Sequence, residues 1–232
     1  MLFNGVFFST IAIALILGFP LIFLNNRKYV FIFWHYLSII LEFITAKISG
    51  IKCRVENEKN ILKKPAIYAM RHESTWETLI LISKFKEPIF VLKEELLKLP
   101  LFGAMAKKAG TISVDRKNKT KALRDAIDRV ENSINKGHPV IIFPEGTRMA
   151  AGEYVPLKRG IALFYEKINC TVVPVVHNSG YFWPRRGFIK KPGTIIVRFM
   201  DPIVPGLSRD EFMDKLNDVF HTEIDKLREK KG

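Results

Sequence analysis

Ala66-Ile67-Tyr68-Ala69-Met70-Arg71-His72-Glu73-Ser74-Thr75-Trp76-Glu77-Thr78 passes from an apolar run to a polar loop and then to a second apolar stretch at 79–82. Five apolar residues after Pro65 are a buried strand, and the apolar positions beyond Glu77 suit a helix. A strand delivering a loop into a helix is the unit of an α/β fold. His72 falls in the loop, with Glu77 in the first turn of the helix. On one regular helix a five-residue separation would turn the two side chains apart by about 140°; across a strand-to-helix loop they can meet. Glu77 would then accept a hydrogen bond from one ring nitrogen and leave the other as a base toward a bound hydroxyl. The same residues have a purely architectural reading, because Ser74-x-x-Glu77 is a capping box. The spacing of these residues leaves both readings open.

Outward from this unit, the elements alternate. Residues 51–56 alternate apolar and polar as a half-buried strand does, 88–92 is a further strand, and 93–97 looks helical. Residues 99–110 carry an apolar stripe that ends with Lys107 and Lys108, and Gly110 is placed to stop the helix. A strand at 111–114 runs into Asp115-Arg116. Leu123, Ala126, Ile127, Val130 and Ile134 then repeat at helical spacing over 120–136. The near-continuous apolar run 138–143 is a central buried strand, followed at once by Pro144-Glu145-Gly146-Thr147-Arg148. A backbone-freeing glycine, a hydroxyl and a guanidinium at a strand end make an oxyanion or phosphate site, although a plain turn with a surface Arg has the same spacing. A helix over 160–168, a strand over 171–176, a strand over 194–200 and a helix opened by Ser208-x-x-Glu211 complete the pattern. Pro174 predicts an edge, a bulge or a strand end. His177, His138 and His221 are expected to be structural, no carboxylate being spaced in sequence to orient them.

The 232 residues suffice for one α/β domain with an appendage. That appendage is the N-terminus: residues 5–24 hold no charge, and 29–46 hold only His35 and Glu42 as ionisable groups. With Asn25-Asn26-Arg27-Lys28 between them, the two stretches form a helical hairpin that spans a bilayer or lies in one leaflet. His35 and Glu42 are expected to face headgroups or protein. No basic leader or small-residue cleavage site precedes Asn25, so the segment is expected to stay attached. Arg27 and Lys28 favour the cytoplasmic side for the rest of the chain. The division is thus 1–48 for the hairpin and 49–232 for the α/β domain. Cys53 and Cys170 show no metal or redox spacing and are expected to be reduced core residues.

A net charge of +14 predicts an anionic partner. Within 181–191 aromatics alternate with Arg185, Arg186, Lys190 and Lys191, chemistry that serves lipid headgroups or single-stranded nucleic acid. The apolar N-terminus decides for lipid, and no nucleic-acid partner is expected.

The blocks His72-x4-Glu77, 110–116, 143–148 and Val173-Pro174-Val175 stand in the order found in the lysophosphatidic acid acyltransferase family, which the chain resembles from His72 to Pro174. The resemblance implies a single mixed-sheet α/β domain flanked by helices and mounted on the hairpin. It implies transfer of a fatty acyl group from acyl-CoA or acyl carrier protein to the sn-2 hydroxyl of a lysophosphatidate, at the cytoplasmic face of the inner membrane. In family terms His72 is the general base and Glu77 its orienting acid. Lys93, Arg116, Glu145, Gly146, Thr147 and Arg148 lie on the substrate side, and neither a metal nor a bound cofactor is implied. Here Glu77 replaces the family's usual Asp. The same blocks also serve glycerol 3-phosphate or lyso-ornithine lipid as acceptor. Outside the enzyme class, the alternative is a non-catalytic binder of anionic membranes.

Overall fold

The structure is a computed structural model that describes residues 2–114 and 119–229. Asp115, Arg116, Lys117 and Asn118 lie outside the described residues, and with them the expected phosphate contact of Arg116.

In chain order the elements are α1 (Leu2–Gly18), α2 (Lys28–Ser49), β1 (Ile51–Glu56), β2 (Ile67–Met70), α3 (Trp76–Lys84), β3 (Ile89–Lys93), α4 (Phe102–Ala109), β4 (Ile112–Val114), α5 (Lys119–Asn135), β5 (Val140–Ile142), α6 (Gly160–Ile168), β6 (Val172–His177), α7 (Ser179–Phe182), β7 (Gly193–Phe199) and α8 (Arg209–Glu229). The strands form one sheet in the order β1-β7-β6-β2-β5-β3-β4. All neighbouring pairs are parallel except β6 with β7. This is the mixed α/β sheet that the sequence implies.

Strand periodicity sorts the core into two layers. Ile67 and Ala69 of β2, Val140 and Ile142 of β5 and Val172 and Val176 of β6 face one layer, with α5, α6 and α8. Tyr68 and Met70, Ile141, and Val173 and Val175 face the other, with Trp76 of α3, Trp183 and Phe7 of α1. Both faces of β2, β5 and β6 are buried, which explains their uninterrupted apolar sequence. Each buried Val, Ile, Met or Phe among them contributes about 1.5–3 kcal/mol of burial free energy.

Pro174 sits in an interior strand. It tolerates that place because the antiparallel ladder slips beside it: Val175 pairs with Phe199 while Val172 bridges to Ile203, one residue out of step. The expected bulge is therefore present, but not on an edge. The helix expected over 93–97 is a tighter 3-10 turn over Glu94–Lys98, with Lys93 still in the strand. Gly110 ends α4 at φ 91°, left-handed backbone open to glycine at little cost. Ser208 and Glu211 cap α8 reciprocally, Ser208 N–H donating to the Glu211 carboxylate at 2.8 Å. Cys53 and Cys170 are free thiols, and burial pushes them up to about 12 and about 11.

Helix α2 lies along the body of the protein. Phe31 stacks against His138 near its start, Trp34 meets Phe102 of α4, and Leu37 and Leu41 join the layer of Trp76. Helix α1 packs on α2 from outside and leaves Leu2, Phe8, Ile13, Ile16 and Leu17 between 56% and 73% exposed.

Candidate active site

Strands β2, β5, β3 and β4 follow one another across the sheet and are all parallel, so the segments leaving their C-terminal ends share one edge of the sheet. Open α/β sheets bind ligands at that edge. The loop after β2 carries Arg71 to Thr75, and the loop after β5 carries Phe143 to Met149. Lys93 closes β3 opposite Val114, the last described residue of β4. The sheet therefore gathers at one rim blocks that are up to 76 positions apart, counted from His72 to Arg148.

His72 Nδ1–H donates to Glu77 Oε1 at 2.8 Å. That tautomer leaves Nε2 as the ring's basic nitrogen. The ring stacks on Phe143 at 4.1 Å between centroids, and the His72 carbonyl accepts the Met149 N–H at 2.7 Å, so the two loops hold each other.

Glu77 is fully buried. Its Oε1 also accepts the N–H groups of Glu73 and Ser74, both at 2.9 Å, and Oε2 accepts the hydroxyls of Ser74 at 2.7 Å and Ser179 at 3.1 Å. Ser74 Oγ in turn accepts the Trp76 N–H at 2.9 Å. The cap of α3 and the tether of His72 are thus made by one carboxylate, and the two readings of Ser74-x-x-Glu77 are compatible. Burial by itself pushes the Glu77 carboxyl up. The His72 hydrogen bond, the attraction of the His177 and His72 rings and the Ser74 hydroxyl outweigh that and hold it at about 2.

Behind this pair lies a buried ionic layer. Arg71 donates Nε–H to Glu73 Oε1 at 2.6 Å and NH2 to the Glu153 carbonyl at 2.6 Å. Glu73 Oε2 accepts the Gly180 N–H at 2.9 Å. His177 Nε2–H donates to the Arg71 carbonyl at 2.7 Å, and its Nδ1 lies 3.9 Å from Glu73 Oε2. His177 is structural as expected, but a carboxylate does stand beside it. Glu73 escapes a reading of the sequence because 104 positions separate it from His177. Ser179 escapes for a similar reason: one serine after a strand carries no spacing signal.

The remaining expected site residues divide. Gly146 turns the chain at φ 68°, closing on Phe143 through an N–H···O bond of 2.9 Å. Thr147 and Arg148 are half-buried, and neither side chain has a hydrogen-bond or ionic partner among the described residues. Lys93 is half-buried at the same rim. Glu145, expected on the substrate side, faces inward instead: it is 3% exposed, its Oε1 accepts the His72 N–H at 3.3 Å, and Arg71 NH1 lies 3.8 Å away. Its Oε2 is buried without a partner among the described residues. Burial pushes this carboxyl up to about 8 despite Arg71, so it is largely protonated at neutral pH. No cluster of three or more His, Cys, Asp or Glu residues suited to a metal occurs among the described residues.

The arrangement is a buried, charged orienter, an imidazole base and, at the same rim, a guanidinium unpaired among the described residues. The acyltransferase family model matches residues 52–178, more than half of the chain. A 1-acyl-sn-glycerol-3-phosphate acyltransferase of Pseudomonas aeruginosa is 39% identical over 155 residues, covering 66% of this chain and 60% of that protein. One of Saccharomyces cerevisiae is 29% identical over 206 residues, covering 85% of this chain and 64% of the relative. The chain thus spans less than two thirds of the length of either curated relative. The crystal structure of the 1-acyl-sn-glycerophosphate acyltransferase PlsC from Thermotoga maritima superposes with a TM-score of 0.82 at 21% identity, over 98% of this chain and 95% of that one, a likeness of fold.

Proposed function

The chain belongs to the acyltransferase family, and on that footing we propose that it transfers a fatty acyl group from a thioester donor, acyl-CoA or acyl carrier protein, to the sn-2 hydroxyl of 1-acyl-glycerol 3-phosphate, giving phosphatidate. The observation that carries the reading is the His72 Nδ1–Glu77 Oε1 bond of 2.8 Å to a carboxylate with no solvent exposure. A thioester is already activated, so the protein need only deprotonate an alcohol and hold two substrates in line. His72 Nε2 takes the proton of the acceptor hydroxyl as its oxygen attacks the thioester carbonyl. The tetrahedral oxyanion then collapses, expels the thiolate, and returns the proton from the imidazolium to sulfur. Glu77 stabilises the imidazolium throughout. A covalent Ser74 intermediate has no place in this scheme, because its hydroxyl is committed to Glu77 and the Trp76 N–H. Arg148, with Thr147 and Lys93, receives the acceptor phosphate, and Arg116 is assigned the same task from the sequence pattern. Glu145 serves instead to fix the His72 backbone. No metal or bound cofactor takes part.

Helices Leu2–Phe23 and Lys28–Ser49 are each long and apolar enough to cross a bilayer. Because α2 packs on the α/β body from Phe31 to Leu41, a perpendicular crossing would pull that body into the hydrocarbon. This packing supports a hairpin lying in the plane of one leaflet, and Arg27 and Lys28 are the residues that favour the cytoplasmic side for the catalytic rim.

The test is acyl transfer by the purified chain from each donor to lysophosphatidate, glycerol 3-phosphate and a neutral lyso-lipid. Wild type forms phosphatidate, and His72→Ala lowers the rate by roughly a hundredfold or more while keeping liposome binding. Equal rates for the two proteins would overturn the assignment of the base. Absence of transfer to every acceptor would leave a membrane-binding protein with a capped helix.

A further inference from the structure

The turn between α7 and β7 is built to present two large apolar side chains to the outside. Phe188 is 61% and Ile189 77% exposed, side by side. Backbone and side-chain contacts fold the turn back on itself. Lys191 N–H closes it onto the Phe182 carbonyl at 2.8 Å, and Gly187 N–H onto Pro184 at 3.1 Å. Lys190 lies over the Trp183 ring at 4.9 Å and donates Nζ–H to the Gly187 carbonyl at 3.0 Å, so its charge is spent on holding the turn. Arg185, Arg186 and Lys191 remain exposed around the apolar tip.

The turn is also fastened to the start of α1. Asn4 Nδ2–H donates to the Phe188 carbonyl at 2.9 Å. Phe3 and Phe7 meet the Trp183 ring edge-on at 5.2 and 5.0 Å. The Phe188-Ile189 tip therefore adjoins the uncharged outer stripe of α1, whose Leu2 is 73% exposed. Large contiguous apolar surface rimmed by polar groups marks an interaction site.

We propose that residues 184–191 form a second membrane anchor, inserting Phe188 and Ile189 among the acyl chains of a leaflet while Arg185, Arg186 and Lys191 engage anionic headgroups. The occupant is an anionic bilayer because one surface must satisfy both chemistries: acyl chains cover the tip and the adjoining α1 stripe, and phosphates pair with the flanking cations. An acidic protein would match the cations alone. This inference is independent of the acyl-transfer assignment.

The test uses the full chain with Cys53→Ser and an environment-sensitive fluorophore on Ile189→Cys; Cys170 is buried. Asp214→Cys on α8, which packs on the opposite face of the sheet, is the control. With vesicles of brominated phosphatidylcholine and phosphatidylglycerol, the label at 189 shifts to the blue and is quenched, and the label at 214 is neither. A label at 189 that stays in water while the protein co-sediments would overturn the proposal. Shielding of that label by acidic acyl carrier protein but not by vesicles would also overturn it and make the turn a protein dock. Arg185→Ser with Arg186→Ser lowers partitioning into anionic vesicles about 25-fold, roughly fivefold for each cation near an anionic surface. It leaves partitioning into neutral vesicles unchanged. An equal loss on both would show a damaged fold and count against a headgroup contact.

Discussion

Replacing Glu77 by Gln separates the charge of the site from its shape. The amide oxygen can stay on the His72 Nδ1–H and the Glu73 N–H, now held at 2.8 and 2.9 Å. The new NH2 then faces the Ser74 and Ser179 hydroxyls, whose oxygens can turn to accept. What is lost is the negative charge, together with the second acceptor for the Ser74 N–H, which lies 3.0 Å from Oε2 and keeps only its 2.9 Å bond to the other oxygen. In the native chain that carboxyl is held at about 2 against an ordinary 4.5, which makes the ionised form about 3 kcal/mol more favourable in the fold than in the unfolded chain. Glu77→Gln should therefore cost on the order of 3 kcal/mol at neutral pH. Because the folded value is depressed, this contribution is complete above pH 4.5 and disappears as the pH falls toward 2. The stability gap between wild type and variant must close over that window. Urea unfolding at a series of pH values measures the gap. In the same preparation acyl transfer should fall roughly a hundred- to ten-thousand-fold, since the imidazolium formed during proton transfer has lost its counter-charge. A gap that stays constant from neutral pH down to 3, or a variant with undiminished transfer, would refute the reasoning.

Other contacts give three further expected outcomes. Ser179→Ala removes the 3.1 Å donor to Glu77 Oε2, and should lower stability by about 1.5–3 kcal/mol. It should reduce kcat and kcat/KM equally, because it acts on the base's orientation; a rise in KM alone would contradict that role. Glu145→Gln mimics the protonated acid. The raised native value of about 8 makes wild-type stability complete below pH 4.5 and costs about 1.4 kcal/mol per pH unit as the pH climbs toward 8. The variant's unfolding midpoint should lack that decline. Arg148→Ala should raise KM for lysophosphatidate by roughly tenfold or more, the scale of one charge-assisted hydrogen bond, and Arg148→Lys should recover only part because it loses the planar fork. Steady-state kinetics with lysophosphatidate varied at fixed donor measures both.

Local pattern makes most of the elements legible. Strand β1 and helix α6 have the bounds that alternation and helical spacing predict, because in each the periodic run is also the buried one. Helix α7 is invisible in the sequence: a single turn of Ser, Gly, Tyr and Phe has no period to detect. The position of β6 between β7 and β2 is equally hidden, since strand order is decided by packing between distant segments, and Pro174 points toward an edge. At the site, His72 and Glu77 are legible because a five-residue spacing across a helix start is a local fact. The inward turn of Glu145 is not. Its neighbours in 143–148 give it a substrate-side look, whereas its placement is decided by Arg71 and the His72 backbone, brought up by another strand.

The geometry of Glu77 explains why a helix cap and a tether for the His72 ring coincide. A helix start leaves backbone N–H groups without partners, and a carboxylate three residues into the box is drawn back onto them. Those donors, with the helix dipole, make a buried negative charge tolerable at 0% exposure. An imidazole placed just before the helix needs only to add one more donor to an anion that is already fixed. Glutamate has one more rotatable bond than aspartate and would hold the imidazole less firmly if only one oxygen were bound. Here the second oxygen is tied as well, by Ser74 and by Ser179 from the far side of the sequence. The longer acid is thereby restrained at both oxygens, and the added reach is taken up by a contact that a shorter side chain in this backbone would fall short of making.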